Sequence, residues 1–213
     1  MKLVIIGATG FVGRIVVDEA LQRGHQVTAI ARSAKDLPQT RGLTLALGDV
    51  NDTEWLTAQL RGQDAVISAF NPGWSAPDLY QQFVRGSDAI LSAVEKSGVR
   101  RFLVVGGAGS LEVAPGVELI DTPQFPADIR PGAQGARELR NKLRAGSSLD
   151  WSLISPAAIL KPGERTGKFR LGTTQLLMDG DAPASISVQD LAVAILNEIE
   201  QPQFIKQQFT AAY

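Results

Sequence analysis

Residues 7 to 13 read Gly7-Ala8-Thr9-Gly10-Phe11-Val12-Gly13, with glycines at three-residue intervals. The first glycine permits a tight turn, the second lets an anion approach bare backbone, and the third lets a helix lie close on a strand. The motif follows the apolar run Lys2 to Ile6 and opens an amphipathic run from Phe11 to Arg23. Free N–H groups at a helix N-terminus, around Thr9, Phe11 and Val12, are therefore aimed at one spot. The chemistry this arrangement serves is the holding of a pyrophosphate. A second apolar run, Gln26 to Ala31, comes at the distance a dinucleotide fold requires.

The residues that close the following strands read as the rest of such a site. An acidic side chain after the second strand would accept from the ribose hydroxyls of NAD, but this chain has Ala31-Arg32-Ser33. The planar fork of Arg32 suits a 2′-phosphate and can stack on adenine, Ser33 can donate to the same phosphate, and Lys35 adds charge. NADP, with NADPH preferred over NADH, is the cofactor this predicts; the alternative for Arg32 is a solvated surface arginine. Asp49 and Val50 of Gly48-Asp49-Val50 follow the third strand, where Asp49 either accepts from an adenine amino group or caps the next helix, for which Thr53 is better placed. Ala69, Phe70 and Asn71 end the fourth strand and should pass beside the ribose or nicotinamide.

Other constellations are excluded or weak. The chain has no cysteine, which removes disulfides, thiolate nucleophiles and every cysteine-ligated metal site. Its single histidine, His25, cannot build a multi-histidine site and reads as a solvated turn residue, so no metal is expected. Twenty-one basic against 22 acidic residues leave a net charge of -1, with no global case for nucleic acid. The opening run is too short for a signal peptide, and no apolar stretch approaches the roughly 18 residues of a membrane span. No membrane partner and a cytoplasmic location are the expectation. Lys161 to Arg170 holds four basic residues and one acidic one, suiting either an anionic ligand or a solvated hairpin. Trp74 and Tyr80 either stack on a planar ring or pack in the core or a lid.

The elements that must position these residues alternate regularly. Strand, helix, strand over the first 31 residues is followed by strands at Leu43 to Leu47, Ala65 to Phe70 and Arg101 to Val105. Helices fall at Thr53 to Leu60, near Asp78 to Lys96 and near Pro131 to Arg144. A strand Trp151 to Ser155, a helix Val188 to Glu200 capped by Ser187, and a last strand Phe204 to Ala211 complete the chain. Runs such as Leu3-Val4-Ile5-Ile6 need no polar face, as in a parallel sheet buried on both sides. With 213 residues and 44% apolar side chains, the reading is one α/β domain over 1–213, a doubly wound parallel sheet (Rossmann fold) with helices on both faces and a small C-terminal substrate-side segment. The Gly- and Pro-rich stretches 107–130 and 156–183 are expected to form the cleft.

Taken together, these residues resemble the atypical short-chain dehydrogenase/reductases, and within them the NADH-flavin reductase-like NAD(P)-binding proteins. The resemblance rests on the glycine motif, on Arg23 to Arg32, on Gly48-Asp49-Val50 and on Val104-Val105-Gly106-Gly107-Ala108-Gly109-Ser110-Leu111. It continues through Ser155-Pro156-Ala157 and Pro162 to Lys168. It implies that Gly106 and Pro156 border the cofactor and that the acceptor is a flavin such as FMN, a quinone or a similar small molecule. Ser110 matches the superfamily's active-site serine, either holding a substrate oxygen or stabilising its own turn. The superfamily's Tyr-x-x-x-Lys is absent: Lys142 has Glu138 four residues earlier, and neither Tyr80 nor Tyr213 is placed to serve. That phenol normally protonates a carbonyl as hydride arrives, an effect of roughly two to four orders of magnitude. Ketone reduction is disfavoured, whereas a flavin or quinone delocalises the incoming charge and takes its proton from solvent. The alternatives are a non-catalytic NADP(H) sensor resembling the NmrA-like group and a nucleotide-sugar epimerase. A monomer and a homodimer both fit.

Overall fold

The computed structural model describes residues 1–33 and 40–213; Lys35, weighed above for a 2′-phosphate, lies outside them. Five strands open the chain, β1 (Lys2–Ile6), β2 (Gln26–Ala31), β3 (Leu43–Leu47), β4 (Ala65–Ser68) and β5 (Arg101–Val105). The helices between them are α1 (Phe11–Gln22), α2 (Thr53–Leu60) and α3 (Leu79–Ser97). A short hairpin, β6 (Glu112–Ala114) and β7 (Val117–Glu118), precedes α4 (Arg130–Gly146) and β8 (Asp150–Pro156). Then come β9 (Ile159–Lys161), β10 (Arg170–Gly172), β11 (Met178–Asp179), β12 (Ala182–Pro183), β13 (Ser185–Ser187), α5 (Val188–Glu200) and β14 (Gln207–Ala212).

Eight strands form the main sheet in the order β10-β14-β8-β5-β4-β1-β2-β3. All neighbours are parallel except β10, which runs antiparallel to β14. Both faces are buried across the inner strands, and the period-2 alternation divides those strands between them, while the edge strands β3 and β10 are largely exposed. Leu3 and Ile5 join one core with Val16, Val17 and Ala20 of α1 and Leu191 and Ile195 of α5. Val4 and Ile6 join the other with Leu56, Ile90, Leu139 and Leu143 of α2, α3 and α4. Phe102 and Trp151 are almost fully buried there, each contributing about 1.5–3 kcal/mol or somewhat more through burial. The strand order reverses at β1, between β4 and β2, which opens a crevice at the carboxyl ends of these strands.

Several element boundaries differ from the sequence expectation for physical reasons. β4 stops at Ser68, because Ala69 and Phe70 leave the sheet to cross over Gly7, where a side chain would come within 2.5 Å of the Ala69 carbonyl oxygen. The last strand starts at Gln207, since Lys206 takes a left-handed φ of 58° and turns the chain. Asp52, not Thr53, caps α2, its carboxylate accepting from the Trp55 N–H at 3.0 Å. Ser187 does cap α5. His25 is not a solvated turn residue: its ring lies 2.8 Å from Glu200 Oε1 and 3.2 Å from the Met1 amino group, with its side chain only 9% exposed. The end of α5 packing beside the end of α1 brings Glu200 there.

Candidate functional site

The crevice is built first from what glycine leaves out. Gly7 adopts φ +78°, and a Cβ on Gly13 would sit 2.1 Å from the Gly7 carbonyl oxygen, so α1 rests on the turn that precedes it. The turn is pinned by the Gly7 and Ala8 N–H groups, which both donate to Ile30 O, and by Gly10 N–H donating to Gly7 O at 3.0 Å. Gly10 is the α1 N-cap and offers no side chain, which leaves the first N–H groups of the helix for an anion. Thr9 and Val12 are half-buried there, whereas the Phe11 ring is 51% exposed. This bare, donor-rich cradle fits a dinucleotide pyrophosphate.

The other sequence-predicted residues come to the same edge. Arg32 and Ser33 follow β2 and are exposed; Arg32 Nη2 reaches across to the Pro72 carbonyl at 3.4 Å. Asp49 is exposed after β3, its carboxylate accepting from Asn51 in a local turn, while Val50 is buried in the core. Phe70 offers backbone to the crevice, since its ring folds back into the space beside Gly86, where a Cβ would meet it at 2.3 Å. Asn71 closes its own turn by accepting from Gly73 N–H. Gly106 donates to Ile154 O at 2.8 Å, and Pro156 ends β8 in a buried position.

Beyond β5, Ser110 is only 4% exposed. Its hydroxyl donates to Gly107 O at 3.2 Å and accepts from Gln208 Nε2 at 3.1 Å. Gln208 also donates to Ser155 Oγ at 3.0 Å, and Arg140 donates to the Ser110 carbonyl at 3.0 Å while pairing with Glu118 at 2.7 Å. This geometry favours the turn-stabilising role weighed for Ser110, since its hydroxyl is engaged on both sides. Gln208, Arg140 and Glu118 were not picked out in the sequence. Gln208 and Glu118 carry no local signal, but Arg130, Arg137, Arg140 and Arg144 fall at intervals of seven, three and four, one helix face. Arg130 and Arg137 hold the 106–130 segment through Phe125 O and Asp121.

The face of α4 turned toward Gly107 carries Ala136, which a Cβ on Gly107 would approach to 3.9 Å, and Arg140. Lys142 and Glu138 instead face α3, where Lys142 pairs with Asp88 at 2.7 Å and with Glu138 at 2.9 Å. Tyr80 donates its hydroxyl to Glu138. That carboxylate, with burial adding to it, raises the phenol's pKa above its ordinary value; the same bond, and then Lys142, lower that of Glu138. Tyr80 is thus a weak proton donor whose proton is already committed. Tyr213 donates to Asp190 at 2.9 Å, at the start of α5.

The basic segment expected at the cleft is laid over α1 and α5 instead. Arg165 forks onto Glu19 at 2.7 and 2.8 Å, Gly167 N–H and the Thr166 hydroxyl donate to Asp190, and Arg170 bonds the Tyr213 carbonyl. Its neighbour, residues 174–176, does reach the hairpin, through Glu112 N–H on Thr174 O at 2.8 Å. Among the described residues, no group of three or more His, Asp or Glu is placed to hold a metal ion, and no helix is long and apolar enough to cross a membrane.

A family model described as NAD(P)H-binding matches residues 7–202. The chain is 37% identical over 214 residues to the uncharacterized protein YwnB of Bacillus subtilis, across 99% of this chain and 97% of that one. It superposes on a structure from Bacteroides thetaiotaomicron provisionally named an epimerase, with TM-score 0.93, 40% identity, and 100% and 96% of the two chains covered. For a structure from Streptococcus pneumoniae provisionally named an NADH-flavin reductase, the TM-score is 0.86 and the identity 33%, covering 100% and 99%.

Proposed function

The chain belongs to the NAD(P)H-binding family, and from that premise we propose that it is an NADPH-dependent oxidoreductase passing hydride to a flavin or quinone-like acceptor. The observation that carries this reading is the α4 face toward Gly107, which presents Ala136 and Arg140 where a proton-donating phenol would be needed for carbonyl reduction. Both tyrosine hydroxyls are engaged elsewhere. The name of the Streptococcus structure supports the flavin side of this reading.

In this reading Gly7, Thr9, Gly10, Phe11, Val12 and Gly13 hold the pyrophosphate. Arg32 and Ser33 take the 2′-phosphate, and Asp49 and Val50 border the adenine. Ala69, Phe70, Asn71, Gly106 and Pro156 flank the ribose and nicotinamide. A bound NADPH would supply the hydride; the residues of the chain hold and orient the two rings and leave the proton to solvent. Ser110 acts by fixing the Gly107 turn. The same engaged hydroxyls favour a second reading, a non-catalytic NADP(H) sensor. The epimerase named for the Bacteroides structure would need a proton-transferring group at this end, which counts against that activity here.

The test is NADPH oxidation by the purified protein with FMN, riboflavin and a simple quinone, with NADH in parallel. Acceptor-dependent turnover favouring NADPH is expected. Tight NADPH binding with no oxidation by any acceptor transfers the assignment to the sensor.

A further inference from the structure

The loop after β4 holds an indole in the open. Trp74 is 60% exposed, the most exposed of the large apolar side chains among the described residues, whereas Trp151 is buried and Trp55 half-buried. An isolated exposed apolar side chain needs no explanation of its own. What sets Trp74 apart is the construction that holds it there. Its ring lies on Gly132 in the first turn of α4, where a Cβ would come within 2.9 Å of Cζ3 and 3.6 Å of Cε3. The six-membered ring of the indole is thereby set against the backbone at Gly132, which leaves no room there for a side chain.

The loop itself is fixed at several points. Gly73 takes φ +113°, its N–H donates to Asn71 Oδ1 at 2.8 Å, and its carbonyl accepts from Ala76 N–H at 3.0 Å. Asp78, a non-glycine residue, is held at φ 53° to turn the chain into α3, and Gln82 braces the Pro77 carbonyl at 2.6 Å. A left-handed non-glycine residue is costly and persists where surrounding structure enforces it. The loop leaves the carboxyl end of β4, with Pro72 touching Arg32 on the crevice side and Trp74 touching the α4 N-terminus on the β5 side. The indole therefore stands at the ligand-bearing edge of the sheet.

We propose that Trp74 is the platform on which the acceptor's planar fused ring, of isoalloxazine type, stacks, making it the residue that selects flat conjugated acceptors. This rests on the reductase reading above. A flat π face recognises any ring of sufficient area and needs no hydrogen-bond match.

Two readouts test it, riboflavin emission during titration with protein and the steady-state constants for riboflavin and NADPH. Wild-type protein should quench riboflavin emission. Trp74→Ala should remove most of the quench and raise the riboflavin KM by about tenfold, as loss of one ring stack does, with the NADPH KM nearly unchanged. Trp74→Phe should keep most of both. Gly132→Ala, which pushes the indole off its seat, should act in the same direction as Trp74→Ala. Turnover with unchanged quench and unchanged riboflavin KM in Trp74→Ala overturns the platform and leaves the reductase reading standing. A Trp74-dependent quench without NADPH oxidation by wild type overturns the reductase reading and leaves the platform. Neither quench nor turnover in wild type overturns both.

Discussion

The proposed preference for NADPH turns on Arg32. This residue is exposed at the end of β2, and its hydrogen bond to the Pro72 carbonyl, at 3.4 Å, is long enough to yield to a phosphate. Arg32→Glu should weaken NADPH by roughly tenfold to a hundredfold, the worth of a charged hydrogen bond, while NADH changes little. Titration calorimetry with both cofactors decides this, and equal losses would remove Arg32 from the 2′-phosphate. Gln208 makes a second residue-scale case. It donates to Ser110 O, Ser110 Oγ and Ser155 Oγ and accepts from Arg144. Gln208→Leu takes one partner from each of these groups, while Ser110 O keeps Arg140 and the Ser110 and Ser155 hydroxyls keep each other, and should cost about 1–3 kcal/mol in total and lower the Tm. The two residues differ in how far sequence could reveal them. Arg32 sits one residue beyond a strand whose end is legible, whereas Gln208 meets Ser110 across 98 positions of chain.

At the scale of elements, α1 is where local sequence and packing agree most closely. Gly7, Gly10 and Gly13 were legible because a turn and a close approach are local demands that glycine alone meets. Gly13→Ala places a methyl 2.1 Å from the Gly7 carbonyl oxygen, so the helix must lift. We expect a destabilisation on the order of 1–3 kcal/mol and weaker binding of NADPH and NADH alike, checked by thermal unfolding and calorimetry. The 161–170 segment was legible as a basic loop but not in its placement, because Glu19 and Asp190, which anchor it, are distant in sequence. Arg165 foremost, opposed by burial and aided by Arg23, lowers the Glu19 pKa below its ordinary value. Burial pushes Asp190 up, but Thr166, Gly167 and Tyr213 more than offset it and lower its pKa. Folded protein therefore binds these protons less readily than unfolded chain. The stability they confer is present above the ordinary carboxylate range, about pH 4, and is lost as pH falls through the folded values. Glu19→Gln should lower stability at neutral pH and flatten the acid limb, as followed by urea unfolding across pH.

For the whole molecule, the parallel sheet and its order of elements were legible because strands buried on both faces leave near-continuous apolar runs. The antiparallel edge strand β10 was not, since three residues, Arg170 to Gly172, carry no readable period. The sheet brings the described candidate cofactor residues to one edge, where α4 turns Ala136 toward Gly107, the place the proposed reading gives to a phenol in ketone chemistry. In the proposed reaction, hydride passes to the acceptor without a proton donor from the protein. This is tested most directly by single-turnover oxidation of NADPH by riboflavin, using cofactor deuterated at the transferred position, in H2O and in D2O. The expected result is a rate slowed severalfold by the deuterated cofactor and scarcely altered by D2O. A rate slowed as much by D2O as by the deuterated cofactor, or no oxidation at all, would contradict the claim.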